Sequence, residues 1–247
     1  MTKYKLEIEY VGTNYSGWQI QEKSPSIQQA IEEAIFKFCG EKSFVYSCGR
    51  TDAGVHAIRM PAHVELSHEY DPRKILMATN FHLSNAGHTI SILNVERVDD
   101  DFHARFSCKK RHYVYKIINR PTRPVIMNER VWWIYQPLDA KLMHSVAQHL
   151  IGKHDFSTFR AAECQAKSPI KTLDEITVKQ SGENIDIYVS APSFLHHQVR
   201  NIVGTLSLVG KHKWTEADFI SAFNACDRRR GGPTAPASGL YFNYAEY

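Results

Sequence analysis

The sequence has no long apolar run, and none of its windows approaches the roughly eighteen uninterrupted residues that a membrane-spanning helix needs. The opening residues, MTKYKLEIEY, lack the apolar core and the small-residue cleavage site of a secretory signal. We therefore expect a chain that stays where it is made, in the cytoplasm, and that has no association with a membrane.

Cysteine is scarce and irregularly placed. The five cysteines are odd in number and never spaced as C-x-x-C, which argues against a disulfide framework and against a structural zinc site. Thirteen histidines are present, yet no H-E-x-x-H motif and no Cys/His quartet occurs among them. The sequence therefore predicts no metal site.

The excess of positive charge is small. A net charge of +4 and a pI of about 8.7 are modest for a nucleic-acid-binding protein, so local clusters of cations matter more than their sum. A hydrophobic share of 43% and a charged share of 23% exclude a disordered or fibrous chain and indicate an ordinary globular fold.

Apolar periodicity predicts an α+β chain. The alternation over residues 5–10 is typical of a half-buried strand. Ser26 with Gln29 fits a capping box that opens a helix ending at Gly40, and Asp71-Pro72 opens a second helix that reaches about residue 80. Further strands are predicted at 43–48, 61–66, 90–98, 106–119 and 240–244, and a hairpin at 170–178 and 184–190.

The prolines at 121, 124 and 137 suggest a boundary between an N-terminal half, 1–120, and a C-terminal half, 121–247. In the second half, helices are predicted at 142–150, at 196–209 and after Thr215, which with Asp218 forms a second capping box. Each half mixes helices with antiparallel-type strands. This favours two related units that share one continuous sheet.

Residues 49–56 carry the most chemical information. Two glycines bracket small and charged residues, so the backbone can turn sharply and approach a ligand. Asp52 is either a turn-forming aspartate that bonds its own backbone, or an oriented carboxylate that acts as nucleophile or base. Arg50 favours the second interpretation, because a cation beside a carboxylate stabilises its ionised form.

Cations cluster just before Tyr113, around the start of the predicted strand 106–119. We call them the basic cluster: Arg105, Lys109, Lys110 and Arg111. Basic residues next to tyrosines suit an RNA backbone and an unstacked base, but lysines that protect an edge strand over a tyrosine-containing core give the same pattern.

Two further sets of cations allow alternative interpretations. His196 and Arg200, four residues apart on a predicted helix, either present positive charge together or form an ordinary solvated face. The run 228–230 is either part of an RNA-binding surface or a solvated turn.

Together these segments resemble the bacterial TruA-type tRNA pseudouridine synthases. The matching segments follow the family order over nearly the whole chain: Tyr10 with Gly12, YSGWQ at 15–19, GRTDAGVHA at 49–57, DDFHARFS at 100–107, RHYVYKI at 111–117, DFSTFRA at 155–161, HHQVRNIVG at 196–204 and GLYF at 239–242. GRTDAGVH and DFHARFS occurring together are highly specific for this family.

The resemblance implies that Asp52 is the catalytic aspartate and that Tyr113 packs on the target base. It implies that Arg50 partners the aspartate and that Arg200 lies on the helix facing it. The implied fold is two ferredoxin-like (RRM-like) halves in one sheet with the active site in the cleft between them. The implied activity is conversion of uridine to pseudouridine in the tRNA anticodon stem-loop, at positions 38, 39 and 40, by a homodimer without a cofactor.

The expected chemistry breaks the bond from C1′ to N1 of uridine, turns the base and rejoins it through C5. One carboxylate suffices, by attacking the sugar or the base or by removing a sugar proton, whereas a glycosidase needs a second carboxylate to manage water. A non-catalytic RNA-binding module and a nucleoside hydrolase are the rival classes. Residues 58–61 and 80–88 depart from the family pattern, which affects the expected details of RNA docking.

Overall fold

The computed structural model describes all residues from 1 to 247. It divides into an N-terminal unit, Met1–Lys109 with Tyr241–Tyr247, and a C-terminal unit, Lys110–Leu240. No helix is long and apolar enough to cross a membrane. The elements in chain order are β1 (Thr2–Tyr10), α1 (Ile27–Cys39), β2 (Tyr46–Ser47), β3 (His56–Leu66), α2 (Pro72–Asn85), β4 (Ile90–Arg97), β5 (Lys110–Asn119), β6 (Trp132–Ile134), α3 (Ala140–Ala147), β7 (Gly152–Asp155), β8 (Ile170–Leu173), β9 (Glu175–Ser181), β10 (Asn184–Ala191), α4 (Gln198–Gly210), α5 (Glu216–Asn224) and β11 (Leu240–Glu246).

The N-terminal unit has a split βαβ arrangement. β1 lies between β4 and β3 and is antiparallel to both, and the short strand β2 is antiparallel to β3. The order β1-α1-β2-β3-α2-β4 is therefore that of a ferredoxin-like unit. β11 adds a parallel pairing at the start of β3, where Tyr241 lies opposite His56.

Local signals determine where helix α1 begins and ends. The Ser26 hydroxyl accepts a hydrogen bond from the Gln29 amide at 3.2 Å. The predicted capping box is only half formed, because the Gln29 side chain donates to Glu33 at 2.8 Å and does not accept from the Ser26 amide. Gly40 ends the helix with a φ of 74°, a left-handed conformation that glycine adopts without strain. The buried face of the helix consists of Ile27, Gln28, Ala30, Ile31, Ala34 and Ile35.

The C-terminal unit repeats the same kinds of element. β10 lies between β5 and β9 and is antiparallel to both, and the hairpin of β9 and β10 is confirmed. The predicted strand 170–178 is divided instead, since Ile170–Leu173 pairs with β7 in a separate two-stranded sheet. The capping box of Thr215 and Asp218 at α5 is confirmed in both directions. The α+β class, with mostly antiparallel sheets flanked by helices, is thus confirmed.

The two compact units divide at the start of β5. Its residues 111–118 pair with residues 191–184 of β10, so the whole strand belongs to the C-terminal unit. The sequence placed the boundary after this strand, at residue 120, because prolines are the more conspicuous local signal. The strand also begins at Lys110 and not at Phe106. The residues before it form a turn in which the His103 ring accepts a hydrogen bond from the Arg105 amide.

Candidate active site

The segment that joins β2 to β3, which we call the Asp52 loop (residues 49–56, including the first residue of β3), is held by the end of β1 and the residues that follow it. The Thr51 hydroxyl shares a hydrogen bond of 2.8 Å with the buried Tyr10 hydroxyl. The Thr51 carbonyl accepts from the Trp18 amide at 3.1 Å. The residue immediately before Asp52 is therefore fixed by both its side chain and its backbone.

Two buried polar side chains complete this attachment. Burial raises the pKa of the Tyr10 phenol well above its usual value, so the hydroxyl keeps its proton at neutral pH. The His56 ring is fully buried, accepts a hydrogen bond from the Gly12 amide at 3.0 Å and packs against the Tyr241 ring at 4.7 Å. Because its Nδ1 atom is the acceptor, His56 carries no proton on that nitrogen.

Two glycines, Gly12 and Gly17, allow the backbone after β1 to lie in close contact with the backbone of the Asp52 loop. A Cβ atom at Gly12 would lie 2.0 Å from the Val55 carbonyl oxygen, and one at Gly17 would lie 2.5 Å from the Thr51 carbonyl oxygen. Gly17 also has a φ of +100°, outside the range that L side chains readily adopt. Close backbone contacts at Gly12 and Gly17 therefore add to the side-chain hydrogen bonds that support the Asp52 loop.

Gly17→Ala is expected to destabilise the N-terminal unit and displace the Asp52 loop. The substitution combines an unfavourable φ, costing about 1–3 kcal/mol, with a clash that only backbone movement relieves. Gly87→Ala is the matched control, because Gly87 has a φ of +73° but no atom within 4 Å of an added Cβ. Urea unfolding should show the larger loss for Gly17→Ala, together with faster exchange of the Val55 amide. Equal losses in both variants would mean that the close approach contributes nothing.

Asp52 lies half-buried in this loop, whereas Arg50 is exposed. The Arg50 guanidinium is in no salt bridge, so the expected pairing of Arg50 with Asp52 is not present in the structure. The physical reason is local. Thr51 between them turns its side chain inward to Tyr10, while Arg50 points to solvent. Arg50 is thus accessible to an anionic ligand.

In the C-terminal unit, β5 carries two tyrosines on one face with different environments. Tyr115 is fully buried and donates a hydrogen bond to the Pro236 carbonyl at 2.8 Å. Tyr113 is half-buried, and its ring lies edge-on to Phe194 with centroids 5.0 Å apart. The core interpretation of this strand therefore holds for Tyr115, while Tyr113 keeps part of its ring accessible.

Helix α4 begins at Gln198, later than predicted. His197 is its N-cap residue in the left-handed conformation, with φ 61° and ψ 5°, and His196 precedes it. The expectation that His196 and Arg200 share a helix face is therefore wrong. The Gln198 side chain causes this late start, since its Oε1 accepts from the Leu195 amide at 2.8 Å and turns the chain before the helix.

The first turn of α4 holds the chain that follows α5. Arg200 donates from Nε to the Ala235 carbonyl at 2.9 Å, and the Ala235 amide donates to the Arg200 carbonyl at 3.1 Å. The next residue, the fully buried Asn201, accepts from the Thr234 hydroxyl at 2.7 Å and donates to the Phe159 carbonyl at 2.9 Å. Arg200 is thereby held in one orientation.

Two of the three arginines in the run 228–230 are bonded to other residues of the C-terminal unit. Arg228 donates to the Gly232 carbonyl at 2.9 Å and to Asn201 Oδ1 at 3.1 Å. Arg229 pairs with Asp227 at 2.7 Å. Arg230 is exposed and in no ion pair. Arg228 therefore supports the fold of the C-terminal unit, whereas Arg230 presents its charge to solvent.

The basic cluster is similarly divided. Lys110 pairs with Asp174 at 3.1 Å, and Arg111 donates to the Pro192 carbonyl. Arg105 and Lys109 are exposed. Lys110 and Arg111 are thus bonded to other residues of the C-terminal unit, whereas Arg105 and Lys109 are the more exposed members of the cluster.

The most consequential residues that sequence reasoning missed are the supports of the Asp52 loop. Thr51 lies inside the GRTDAGVH motif and His56 at its end, yet neither was assigned a role there. Asn201 was missed inside HHQVRNIVG. The available signal was their position within specific motifs, because a polar residue beside a candidate catalytic residue often fixes the backbone that carries it.

Comparison with known proteins matches the sequence of this chain to one family. The family model described as tRNA pseudouridine synthase matches residues 146–247. The tRNA pseudouridine synthase A of Bartonella tribocorum is 51% identical over 247 residues, covering 100% of both chains. That of Rhodospirillum centenum is 52% identical over 247 residues, again covering 100% of both. The resemblance carried by the motifs is confirmed, and this chain belongs to the tRNA pseudouridine synthase A family.

Proposed function

We propose that this chain converts uridine to pseudouridine in the anticodon stem-loop of tRNA, at positions 38, 39 and 40, with Asp52 as the catalytic carboxylate. The observation that carries the assignment is the construction of the Asp52 loop. The carboxylate is half-buried and accessible, while the residue before it is held by Tyr10 and Trp18. A carboxylate held in this way is preorganised for a reacting centre. The full-length relatives, named as tRNA pseudouridine synthases, support the substrate class.

The proposed chemistry is an isomerisation without net addition of water. The bond from C1′ to N1 breaks, the uracil turns, and a new bond joins C1′ to C5. C5 then gives up its proton, and N1 gains one. Asp52 starts the sequence either as a nucleophile towards the sugar or base or as a base that removes a sugar proton. Both routes need one carboxylate and neither a metal nor another cofactor.

Three further residues are proposed to hold the substrate. Tyr113 stacks on the target base, since part of its ring is accessible and Phe194 supports the ring edge-on. Arg50 is exposed and suited to a phosphate. Arg200 is anchored through Nε to Ala235, which supports a fixed orientation for its guanidinium. The target uridine leaves its stack first, at a cost of about a few kcal/mol that such contacts offset.

Incubation of the purified protein with unmodified tRNA, followed by nucleoside analysis, tests the assignment. Pseudouridine at positions 38–40 is the expected product. Free uracil would indicate a nucleoside hydrolase, and unchanged tRNA that nevertheless binds would indicate a non-catalytic RNA-binding module. Either of these results contradicts the proposal.

We also propose that the protein acts in the cytoplasm, where its tRNA substrate is found, and as a homodimer. Three strongly exposed apolar side chains of the C-terminal unit are the observation that supports self-association. Val125 is 80% exposed, Ile126 92% and Tyr135 62%. Sedimentation equilibrium should give a dimer for the wild type and a monomer for Val125→Ser/Ile126→Ser. A wild-type monomer at micromolar concentration would contradict the homodimer.

Salt dependence should separate binding cations from structural ones. Arg230→Ala and Lys109→Ala are each expected to reduce the slope of log Kd against log salt by about 0.7 without changing Tm, because each exposed cation neutralises one phosphate. Arg228→Ala should lower Tm instead, since its guanidinium holds Gly232 and Asn201. Filter binding across a salt series measures the slope. An unchanged slope would remove the substituted residue from the tRNA surface.

A further inference from the structure

The loop between β4 and β5, which belongs to the N-terminal unit, carries an aromatic side chain that is exposed to solvent. Phe106 is 77% exposed, more than any other aromatic residue of the chain. Scattered exposed apolar residues are common, but contiguous exposed rings mark an interaction surface. The surroundings of Phe106 therefore decide whether its exposure has a role.

The backbone of this loop is fixed. The His103 ring nitrogen Nδ1 accepts hydrogen bonds from the amides of Arg105 at 3.1 Å and Phe106 at 3.4 Å. The Ala104 amide donates to Nδ1 of the buried His63 at 3.1 Å. The hydrogen bonds of this loop thus fix Phe106 in its exposed position.

Phe106 belongs to a contiguous set of rings, which we call the aromatic platform: Phe44, Tyr46, His103 and Phe106. The Phe106 centroid lies 4.3 Å from that of His103, which lies 5.6 Å from Tyr46, which lies 4.4 Å from Phe44. Phe44 is 51% and Tyr46 42% exposed. His63 stacks beneath Tyr46 at 4.9 Å with planes 15° apart, so the platform rests on a buried ring.

The platform is neutral and has a cation at its edge. The Arg105 guanidinium lies over the Phe106 ring, 5.8 Å from its centroid. Burial, His103 and Lys3 lower the pKa of His63 to about 4, and burial also lowers the pKa of His103. Both imidazoles are therefore uncharged at neutral pH. Neutral ring faces beside an arginine are the usual means of binding an unstacked nucleobase with its phosphate.

We propose that the aromatic platform stacks against an unpaired base of tRNA while Arg105 contacts the adjoining phosphate. This rests on the proposed function, which supplies tRNA as the ligand. It adds a docking surface on the N-terminal unit beyond the residues proposed for the chemistry.

The test compares four variants in steady-state turnover of tRNA. Phe106→Ala should raise KM about tenfold with kcat within about twofold of wild type, because a stacking contact is lost and the chemistry is not. Phe106→Trp should restore KM and Phe106→Leu should not, since stacking requires a ring and not merely an apolar side chain. Phe81→Ala is the matched control, because Phe81 is 60% exposed on α2 and outside the platform. It should leave KM and kcat unchanged.

Ultraviolet crosslinking to tRNA, with mass mapping of the attached peptide, provides a readout independent of turnover. The peptide containing Phe106 should be crosslinked in the wild type and lost in Phe106→Ala. An unchanged KM for Phe106→Ala, or full restoration by leucine, would overturn the proposal. The proposal would also be overturned if Phe106→Ala changed the oligomeric state in sedimentation but left KM unchanged. That result would indicate that a second copy of the chain covers the rings.

Failure of the platform and failure of the proposed function are distinguishable. If the wild type forms no pseudouridine, the function is wrong, and filter-binding Kd values for tRNA then replace KM in the same comparison. If the wild type is active and Phe106→Ala binds and turns over tRNA normally, only the platform is wrong.

Discussion

Asp52→Asn is expected to reduce pseudouridine formation by a factor on the order of 10⁴ or more, while the fold and tRNA affinity remain. The amide has nearly the same shape as the carboxylate but neither its charge nor its basicity, so it replaces a nucleophile or base without creating a cavity. The loop should keep its position, because Tyr10 and Trp18 hold it through Thr51. Single-turnover kinetics with saturating enzyme measures the chemical step directly.

Affinity should not fall in Asp52→Asn, since removal of a negative charge from an RNA-binding surface weakens no phosphate contact. Asp101→Asn, at an exposed aspartate, is the matched control and should react at the wild-type rate. Turnover of Asp52→Asn within about tenfold of wild type would exclude Asp52 as the catalytic carboxylate. An unfolded variant would be recognised by its melting curve before kinetics are interpreted.

Tyr113→Leu is expected to lose turnover by about 5- to 150-fold, the equivalent of roughly 1–3 kcal/mol of base stacking. Tyr113→Phe should retain most tRNA binding, because the ring is kept and only the hydroxyl is removed. Neither substitution should change Tm by much, since Tyr113 is half-buried and not part of the fully buried core. Single-turnover rates and melting temperatures for both variants make the comparison.

Tyr115→Leu provides the contrasting control on the same strand. Tyr115 is fully buried, bonded to Pro236 and so close to Gly239 that an added Cβ there would lie 2.5 Å from its ring. Its replacement should cost about 2–4 kcal/mol of unfolding free energy and leave the folded fraction active. A Tyr113→Leu variant that behaves in this way, melting early with normal turnover, would make Tyr113 a core residue and not a substrate contact.

The helix ends show which parts of the fold can be predicted from sequence. The helix ends at Ser26, Gly40 and Thr215–Asp218 were predicted correctly. Each cap involves residues within one turn of each other, so the local sequence is enough to predict it. The failures occurred where a distant or unexpected partner intervened. Gln29 bonds forward to Glu33, and the Gln198 side chain turns the chain so that His196 lies outside α4.

The cations show the same limit for the candidate site. Composition and clustering could not distinguish Arg228, which is bonded to Asn201 27 residues away, from Arg230, which is exposed. Likewise, the alternation of β5 could not separate the core residue Tyr115 from the accessible Tyr113. Whether an arginine is bonded and whether a tyrosine is buried depend on the atoms that distant segments of the folded chain place beside it.

The sequence by itself determined the α+β class, the family and the candidate carboxylate, because motif order and local periodicity are properties of the chain alone. Only the tertiary structure decided that backbone at Gly17 supports the Asp52 loop, that Arg50 makes no ion pair with Asp52, and that Phe106 is held in solvent. The reason is physical. Hydrogen bonding, burial and exposure depend on contacts between residues far apart in sequence, and those contacts exist only once the chain has folded.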